Sequence, residues 1–356
     1  MKYLIILKPL DKFFFGKEQT FGENNYFAKS SCFPQQTQLL GMLRKEILIQ
    51  NGFLTQKRKG EWVDKNKANR AKEFVGGEQF NIASSNLQNL GEIKSVSPIF
   101  MLNREKKFCY FTAKNLGFYL TSDKDEPIEL RFLENDEIYK EKVAKDITAQ
   151  IISEDETVYA YDEVFIEDEQ VGIQKSLTGV TDDNAFFRKL SYKLDLDFSF
   201  AFVLELKERE RVVLDNAIVT LGAERSQFKM EVHKEDDLCH SYHDKIETIY
   251  KKEKVTKLIL LSDSYMEASN ETIRSKAQFS ITQGVAVRTI NSKVSKWKGK
   301  TEELEKYKFS KSITYNFFER GSVFYRPNGL EELLTNENLQ QIGYNQFIII
   351  EGEENA

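Results

Sequence analysis

Alternating apolar and polar positions give the clearest structural signal in this chain of 356 residues. In LDLDFSFAFVLELK, residues 194–207, every even-numbered position from Leu194 to Leu206 is leucine or phenylalanine. A period of two places these side chains on one face of a β-strand. Shorter apolar runs predict further strands over residues 2–8, 226–232, 257–262 and 346–350.

Helical spacing of apolar residues predicts helices over residues 37–50, 208–221 and 330–341. The first half is less regular between these elements. It is predicted to contain a hairpin over 99–104 and 108–112, a helix over 133–143 and a strand over 158–166.

Each half of the chain therefore fits a β-α-β-β-α-β order, the ferredoxin-like or RRM-like plan. We predict an α+β protein with two such domains, residues 1–190 and 191–356. Segments 52–95 and 264–325 stand out as long insertions, and loops of this length are usually functional or disordered.

Composition narrows the class of protein. With 40% apolar residues and 27 phenylalanines, the chain can form substantial cores. The opening MKYLIILKPL has too short an apolar run for a signal peptide. No apolar run approaches the roughly 20 residues of a membrane span. Three widely spaced cysteines argue against a disulfide framework and for the reducing cytoplasm.

The charges are unevenly distributed around a net charge of −5. Since free-standing, non-specific nucleic-acid binders are usually basic overall, any RNA site here must be local. Residues 57–72 hold seven basic residues against two acids, and residues 151–170 hold eight acids and no base. Both segments fit solvated surface. Alternatively, the basic segment faces RNA and the acidic segment meets protein.

Catalytic and metal-binding patterns are incomplete. The chain's three histidines cluster with a cysteine, as His233, Cys239, His240 and His243. Structural zinc sites usually pair two separated ligand couples, so the pattern favours a polar loop, although one histidine could act as a general base.

Two other patterns have simpler interpretations. Asp195 and Asp197 share a strand face and could hold Mg²⁺, but they fit a solvent face better. Residues 299–301, GKT, lack the upstream glycine of a P-loop. We expect no catalytic set, no metal and no cofactor.

Glycine turns beside arginines and aromatic residues are the more informative pattern. They occur in LGAER (221–225), ERGSVFYR (319–326) and IGYNQF (342–347). Each one alone could be an ordinary helix cap or turn. Together they suit RNA, because glycine lets backbone N–H groups approach phosphate, arginine binds phosphate oxygens and aromatic rings stack on bases.

The segment FPQQTQLLGMLR, residues 33–44, places a glycine inside a predicted helix. Gly costs about 1 kcal/mol relative to Ala in a helix interior. We interpret Gly41 as a site of close packing against the sheet. A ligand is expected instead at Gln35, Gln36 and Thr37, because a helix N-terminus attracts anions.

In this order along the chain, the motifs resemble the RAMP superfamily and, within it, the third-subunit family of type III-B (Cmr) CRISPR–Cas effector complexes. The segments that carry the resemblance are KPLDKFFFG (8–16), FPQQTQLLGMLR, DEQVGIQ (168–174), LGAER, GVAVR (284–288), ERGSVFYR and IGYN. Two departures stand out. Phe14, Phe15 and Gly16 replace an arginine that the family tends to have, with Lys17 as a substitute charge, and Ser295–Trp297 lacks the family's two glycines.

The resemblance implies a non-catalytic subunit whose glycine-rich loops grip the 5′ handle of the CRISPR RNA. It also implies contacts with the large polymerase-like subunit and with backbone RAMP subunits, and only indirect contact with target RNA. The candidate RNA-binding residues are Lys17, Gln35, Gln36, Thr37, Arg44, Gly222, Glu224, Arg225, Arg288, Arg320, Gly321, Ser322 and Arg326.

Two alternatives remain open. The first is a RAMP endoribonuclease that processes precursor CRISPR RNA with a histidine of the 233–243 cluster. Such enzymes often carry the histidine near the first helix, and here the first 232 residues contain none. The second is a protein-interaction scaffold that has lost its RNA site.

Overall fold

The computed structural model describes most of the chain. The described residues are 1–16, 19–21, 26–55, 57–58, 61–77, 79–111, 119–121, 127–129, 151–175, 181–207, 212–249, 256–288, 290–298, 303–311 and 313–352. Lys17 and the helix predicted over 133–143 lie outside these ranges.

Strands dominate the described part of the chain. In chain order they are β1 Lys2–Pro9, β2 Gln19–Phe21, β3 Tyr26–Lys29, β4 Lys57–Arg58, β5 Glu61–Trp62, β6 Ile93–Val96, β7 Phe100–Leu102, β8 Phe108–Phe111, β9 Tyr119–Thr121, β10 Pro127–Glu129, β11 Ile151–Ser153, β12 Val158–Tyr159, β13 Phe165–Lys175, β14 Thr181–Leu194, β15 Ser199–Leu206, β16 Ala217–Thr220, β17 Gln227–Lys234, β18 Lys257–Leu260, β19 Ala277–Ile281, β20 Gly284–Val287, β21 Ile290–Lys298, β22 Glu303–Lys311, β23 Tyr315–Phe318, β24 Val323–Pro327 and β25 Phe347–Ile350.

Helices are fewer in the described ranges. They are α1 Gln36–Gln50, α2 Lys65–Val75, α3 Tyr161–Val164, α4 Leu238–Ile249, α5 Asn270–Ser275 and α6 Glu337–Gln341, with a 3₁₀ turn over Glu331–Leu334. The observed chain is therefore α+β, as predicted. No helix in the described ranges is long and apolar enough to cross a membrane.

The largest sheet has β1 near its middle. Its order is β12-β11-β8-β7-β15-β1-β17-β16, and β6 also pairs with β15. Strand β1 is antiparallel to both β15 and β17, with Ile5 opposite Phe202 on one side and Val232 on the other. Residues 194–207, which were predicted to open the second domain, therefore contribute β15 to the same sheet as β1, and the domain division itself stays a prediction. A division at residues 190 and 191 does not separate the sheets.

A second sheet has the order β19-β24-β18-β25, with antiparallel neighbours. Along the chain these elements run β18-α5-β19-β24-α6-β25, which is the predicted β-α-β-β-α-β order. The unit begins at Lys257, however, and two of its strands lie inside the predicted insertion 264–325. Whether the first half forms another such unit stays a prediction.

The third sheet is built on a long hairpin. Strands β13 and β14 pair over most of their length, and β14 also pairs in parallel with β3. The base of this hairpin contacts the segment after β1, because Phe13 N–H donates to Tyr192 O at 2.8 Å. Sequence segments that are about 180 residues apart therefore meet at one place.

A single apolar core joins the largest sheet, the hairpin and the second sheet. Phenylalanines fill the junction, and the rings of Phe13 and Phe15 pack edge-on against Phe200. The hydroxyl of Tyr110 in the largest sheet donates to Leu261 O beside β18. Burial of these large rings accounts for much of the stabilisation of this junction.

Several predicted elements differ from the structure. Residues 217–220, inside the predicted helix 208–221, form strand β16, and the strand predicted over 158–166 is broken by α3. The alternation begins to fail at Leu196, which is 98% exposed in a turn. Apolar periodicity cannot distinguish such a turn from a strand, since Leu196 has the residue type of a core position.

Candidate nucleic-acid interface

The start of α1 is fixed by its own glutamines. Gln38 accepts a hydrogen bond from the Gln35 N–H at 3.0 Å, and its amide donates to Phe15 O at 2.8 Å. The helix start is therefore attached to the end of the KPLDKFFFG segment. Gln35 and Thr37 are half-buried, whereas Gln36 is buried.

Gln36 has an internal role. Its amide donates to Ser97 O at 2.9 Å, beneath the turn that contains Gly343. A Cβ on Gly343, where φ is +87°, would lie 1.9 Å from Gln36 Nε2. The absence of a side chain at Gly343 therefore lets this turn pack closely against Gln36 of α1. The prediction that Gln36 is open to RNA is not supported by its burial.

The LGAER loop docks on the segment that precedes it by two hundred residues. Ala223 N–H donates to Phe14 O at 2.8 Å, and Ser226 Oγ accepts from Phe14 N–H at 3.0 Å. A Cβ on Gly222, with φ of +83°, would lie 2.7 Å from Phe14 O. The close backbone approach predicted at Gly222 is thus made within the chain, although Gly222 itself is exposed.

Beyond this docking point the loop turns outward. Glu224 and Arg225 both have left-handed backbones, with φ of 56° and 59°. Glu224 forms an ion pair with Lys189, whose ammonium also lies 5.4 Å from the Phe14 ring centroid. Arg225 is exposed and has no hydrogen bond or ion pair within the described ranges. It is available to an anion.

The outward face of α1 lies close to this loop. Lys45 donates to Thr220 Oγ1 at 3.0 Å, two residues before Gly222. Gly41 lies one turn earlier on the same face, because it follows Gln38 by three residues and precedes Lys45 by four. A Cβ on Gly41 would meet nothing within 4 Å, and Gly41 is exposed. The interpretation of Gly41 as a close-packing site is wrong.

Arg44 lies beside Gly41 on α1 and is half-buried. Its Nε is buried and has no hydrogen-bond partner among the described residues. Burial lowers the pKa of Arg44 to about 10, because no carboxylate compensates for the lost hydration. We define the Arg225 surface as Gly41, Arg44, Lys45, Gly222 and Arg225.

Arg320 is in the opposite situation. Its guanidinium binds both carboxylate oxygens of Asp263, at 3.2 and 3.3 Å, and lies over the rings of Phe33 and Phe111. Burial alone would lower the pKa of Arg320, but the Asp263 carboxylate raises it above its usual value. Arg320 is 7% exposed, and both oxygens of Asp263 occupy its guanidinium.

The rest of the ERGS turn is also internal. Gly321 N–H donates to Leu260 O at 2.7 Å, and the buried Ser322 hydroxyl donates to Glu319 O at 2.6 Å. Both residues hold the turn against β18. These bonds place Gly321 and Ser322 within the fold beside Arg320, and whether the three residues contact RNA stays a prediction.

Arg288 and Arg326 are exposed but lie apart from one another in the fold. Arg288 Nε donates to Thr314 Oγ1 at 2.7 Å, and Arg326 bonds Gln278 at 3.2 Å at the end of β24. Whether they bind RNA stays a prediction.

Several carboxylates of the acidic segment 151–170 form ion pairs with lysines of this chain. Asp168 contacts Lys12 at 2.8 Å and Lys193 at 3.2 Å, and Glu154 pairs with Lys245. Bonding to Lys12 lowers the pKa of Asp168. The negative charge of this segment is therefore partly neutralised by lysines of the same chain. The basic helix α2 begins at Asp64, which caps the Lys67 N–H at 2.9 Å.

The histidine and cysteine residues do not form a metal centre. His233 lies 3.8 Å from Glu231, and His240 lies 3.3 Å from Glu235. Cys239 is buried, and burial raises its thiol pKa to about 11. No group of three His, Cys, Asp or Glu side chains within the described ranges is arranged to hold a metal ion.

Sequence comparison gives the family. A family model described as "CRISPR-associated protein (Cas_Cmr3)" matches residues 5–149 and 138–352. The chain belongs to the Cas_Cmr3 family. The resemblance found in the ordered motifs is therefore confirmed, and the protein is a CRISPR-associated component of the type III-B Cmr kind. No curated protein sequence matches the chain.

Solved structures with a similar chain include three type III-B Cmr-beta cryo-EM structures. A complex with cognate target RNA and AMPPnP gives 11% identity, covers 97% of this chain and 96% of that one, and has a TM-score of 0.49. A complex with cognate target RNA has 12% identity, covers 98% of this chain and 96% of that one, and has a TM-score of 0.48. The apo state has 10% identity, covers 66% of this chain and 98% of that one, and has a TM-score of 0.31. The assignment to the Cas_Cmr3 family therefore rests on the family-model match.

Sequence reasoning missed the residues that hold these Cas_Cmr3 motifs together. Asp263, Ser226 and Ser97 each fix a motif that was assigned to RNA. A signal for Asp263 was present, because it directly follows the apolar run 257–262 that was predicted as a buried strand, and a buried carboxylate requires a partner. Which partner it has depends on the tertiary fold.

Proposed function

We propose that this Cas_Cmr3 protein grips the 5′ handle of the CRISPR RNA in a type III-B effector complex, as a non-catalytic subunit in the cytoplasm. The large polymerase-like subunit and the backbone RAMP subunits are its proposed neighbours. Target RNA is met only through the guide.

The observation that carries this proposal is the position of Arg225. The LGAER loop is fastened at Ala223 and Ser226, and a left-handed backbone turns Arg225 outward without a partner within the described ranges. Gly41 and Lys45 lie on the nearby helix face. An unpaired guanidinium beside uncovered helix backbone suits a phosphate.

The test is handle binding by the assembled complex with Arg225→Ala. We expect about a tenfold loss of affinity for RNA that carries the repeat-derived 5′ handle. The slope of log affinity against log salt concentration should become shallower by about one unit, because one phosphate contact is lost. The matched control is Arg274→Ala, which removes an exposed arginine from α5. Equal handle affinity for wild type and Arg225→Ala would contradict the proposal.

The endoribonuclease alternative gains no specific support from the fold. His233 and His240 lie beside the carboxylates of Glu231 and Glu235 rather than at the Arg225 surface. Incubation of the purified protein with repeat RNA tests this alternative directly. Specific cleavage that is lost when all three histidines are changed would replace the proposed function by an enzymatic one.

A further inference from the structure

A cavity of about 420 Å³ opens beside the start of α1. Segments that are distant in sequence form its walls, namely Gly16 with residues 29–35, residues 161–167, Tyr192, Asp263, residues 283–286 and residues 319–320. This volume lies within the range of sites for small ligands. Four of the family motifs, KPLDKFFFG, FPQQTQLLGMLR, GVAVR and ERGSVFYR, therefore contribute to one cavity, and none of its lining residues belongs to the Arg225 surface.

Aromatic side chains form the apolar part of this cavity. Tyr161 is half-buried, and its ring lies 5.3 Å from the Phe165 ring and 6.4 Å from the Phe33 ring. Tyr192 contributes a further buried ring to the wall. A planar group can therefore be enclosed without disturbing the core, since these rings already have fixed positions.

The lining holds four carboxylates against two cationic side chains, which disfavours phosphate as the occupant of the cavity. The Arg320 guanidinium is already bound to both oxygens of Asp263. Lys29 lies 3.9 Å from Glu167, and Asp162 and Glu319 add two further carboxylates to the lining. Carboxylates attract groups that carry N–H donors, and the amide of Gln35 adds a donor and an acceptor.

We propose that this cavity receives one unpaired base of the bound RNA, with the phosphates left outside. An unpaired base offers the cavity a flat face for stacking and N–H groups for its carboxylates, as single-stranded RNA does in other proteins. The inference rests on the proposed function, since the RNA must first be held nearby. The cavity is close to that RNA, because Gln35 and Gly16 join it to the segment on which the LGAER loop docks.

Cys32 provides a direct probe of occupancy. It lines the cavity and is half-buried. The other two cysteines are buried, and burial raises the pKa of Cys109 to about 12 and that of Cys239 to about 11. A maleimide should therefore label Cys32 selectively in the folded protein, and Cys32→Ser should abolish this fast labelling.

The experiment measures maleimide labelling of the assembled complex, with and without handle RNA. We expect RNA to slow labelling of Cys32 at least tenfold, and an RNA that lacks one handle base to restore it. Labelling that RNA leaves unchanged, while handle affinity is normal, would overturn the cavity inference alone. Absence of handle binding by the wild type would overturn the proposed function as well.

Protection of Cys32 by the neighbouring subunits without RNA would assign the cavity to protein and also overturn the inference. A second pair of variants tests stacking. Tyr161→Ala should weaken handle binding about tenfold, whereas Tyr161→Phe, which keeps the ring, should bind like wild type. Equal binding by both variants would exclude stacking on Tyr161.

Discussion

Arg225 and Arg320 occupy similar local sequences and opposite environments. Each follows a glutamate and lies within two residues of a serine and three of a glycine, in LGAERS and in ERGS. Arg225 extends from the surface, whereas Arg320 is buried against Asp263 and over the rings of Phe33 and Phe111.

The difference shows how such motifs divide their roles. The Arg320 pair joins residues 319–322 to the loop after β18 and to the aromatic core, so it fixes the fold around the cavity. Arg225 is held only through its neighbours Ala223 and Ser226, so its side chain remains free for a ligand. A glycine beside an arginine therefore predicts a tight turn, and the partners of the arginine decide its function.

The largest effect is expected for Arg320→Ala. This change leaves the buried Asp263 carboxylate without its cation, and breaking a buried pair in this way costs about 3–5 kcal/mol of unfolding free energy. Urea unfolding measures the loss. The control Arg225→Ala should change stability by less than about 0.5 kcal/mol, as surface substitutions do. Similar stabilities for the two variants would remove the contrast between the two arginines.

A smaller loss is expected for Gly222→Ala. The new Cβ would lie 2.7 Å from Phe14 O at a φ of +83°, and the combined strain should cost about 2–3 kcal/mol. Gly284→Ala is the matched control, because a Cβ there meets nothing within 4 Å. If both variants unfold at the same urea concentration, the docking of the LGAER loop on Phe14 is not a significant constraint.

The smallest effect has the opposite sign. Gly41→Ala should raise the unfolding free energy by about 1 kcal/mol, because Ala is the better helix former and its Cβ has space. If the helix backbone at Gly41 contacts RNA, the same variant should bind handle RNA less tightly. Urea unfolding and filter binding test the two statements separately. Unchanged binding would restrict the RNA surface to the LGAER loop.

Strong local patterns predicted much of the fold. The strands β1, β18 and β25, helix α1 and the β7–β8 hairpin occur close to their predicted ranges, because each combines an apolar face with clear ends. The described part of the helix predicted over 208–221, residues 212–221, is not helical, because residues 217–220 pair as β16 with β17. Such pairing is a tertiary effect that overrides helical periodicity.

The candidate site was predicted in part. The sequence located the glycine turns and Arg225, and family motifs proved to surround one cavity. It could not assign Gln36 to Ser97 or Arg320 to Asp263, because these partners lie 61 and 57 residues away. The solvent exposure of Gly41 could not be deduced either, since its neighbours in sequence are apolar and face the core, whereas Gly41 faces solvent.

By itself, the sequence determined the α+β class, the main strands, the first helix and, through its ordered motifs, the Cas_Cmr3 family. Only the tertiary structure decided that β15 pairs with β1, that the β-α-β-β-α-β unit begins at Lys257, and which arginine is free. The physical reason is that apolar periodicity is local. Strand partners, ion pairs and cavities form between segments whose proximity exists only in the folded chain.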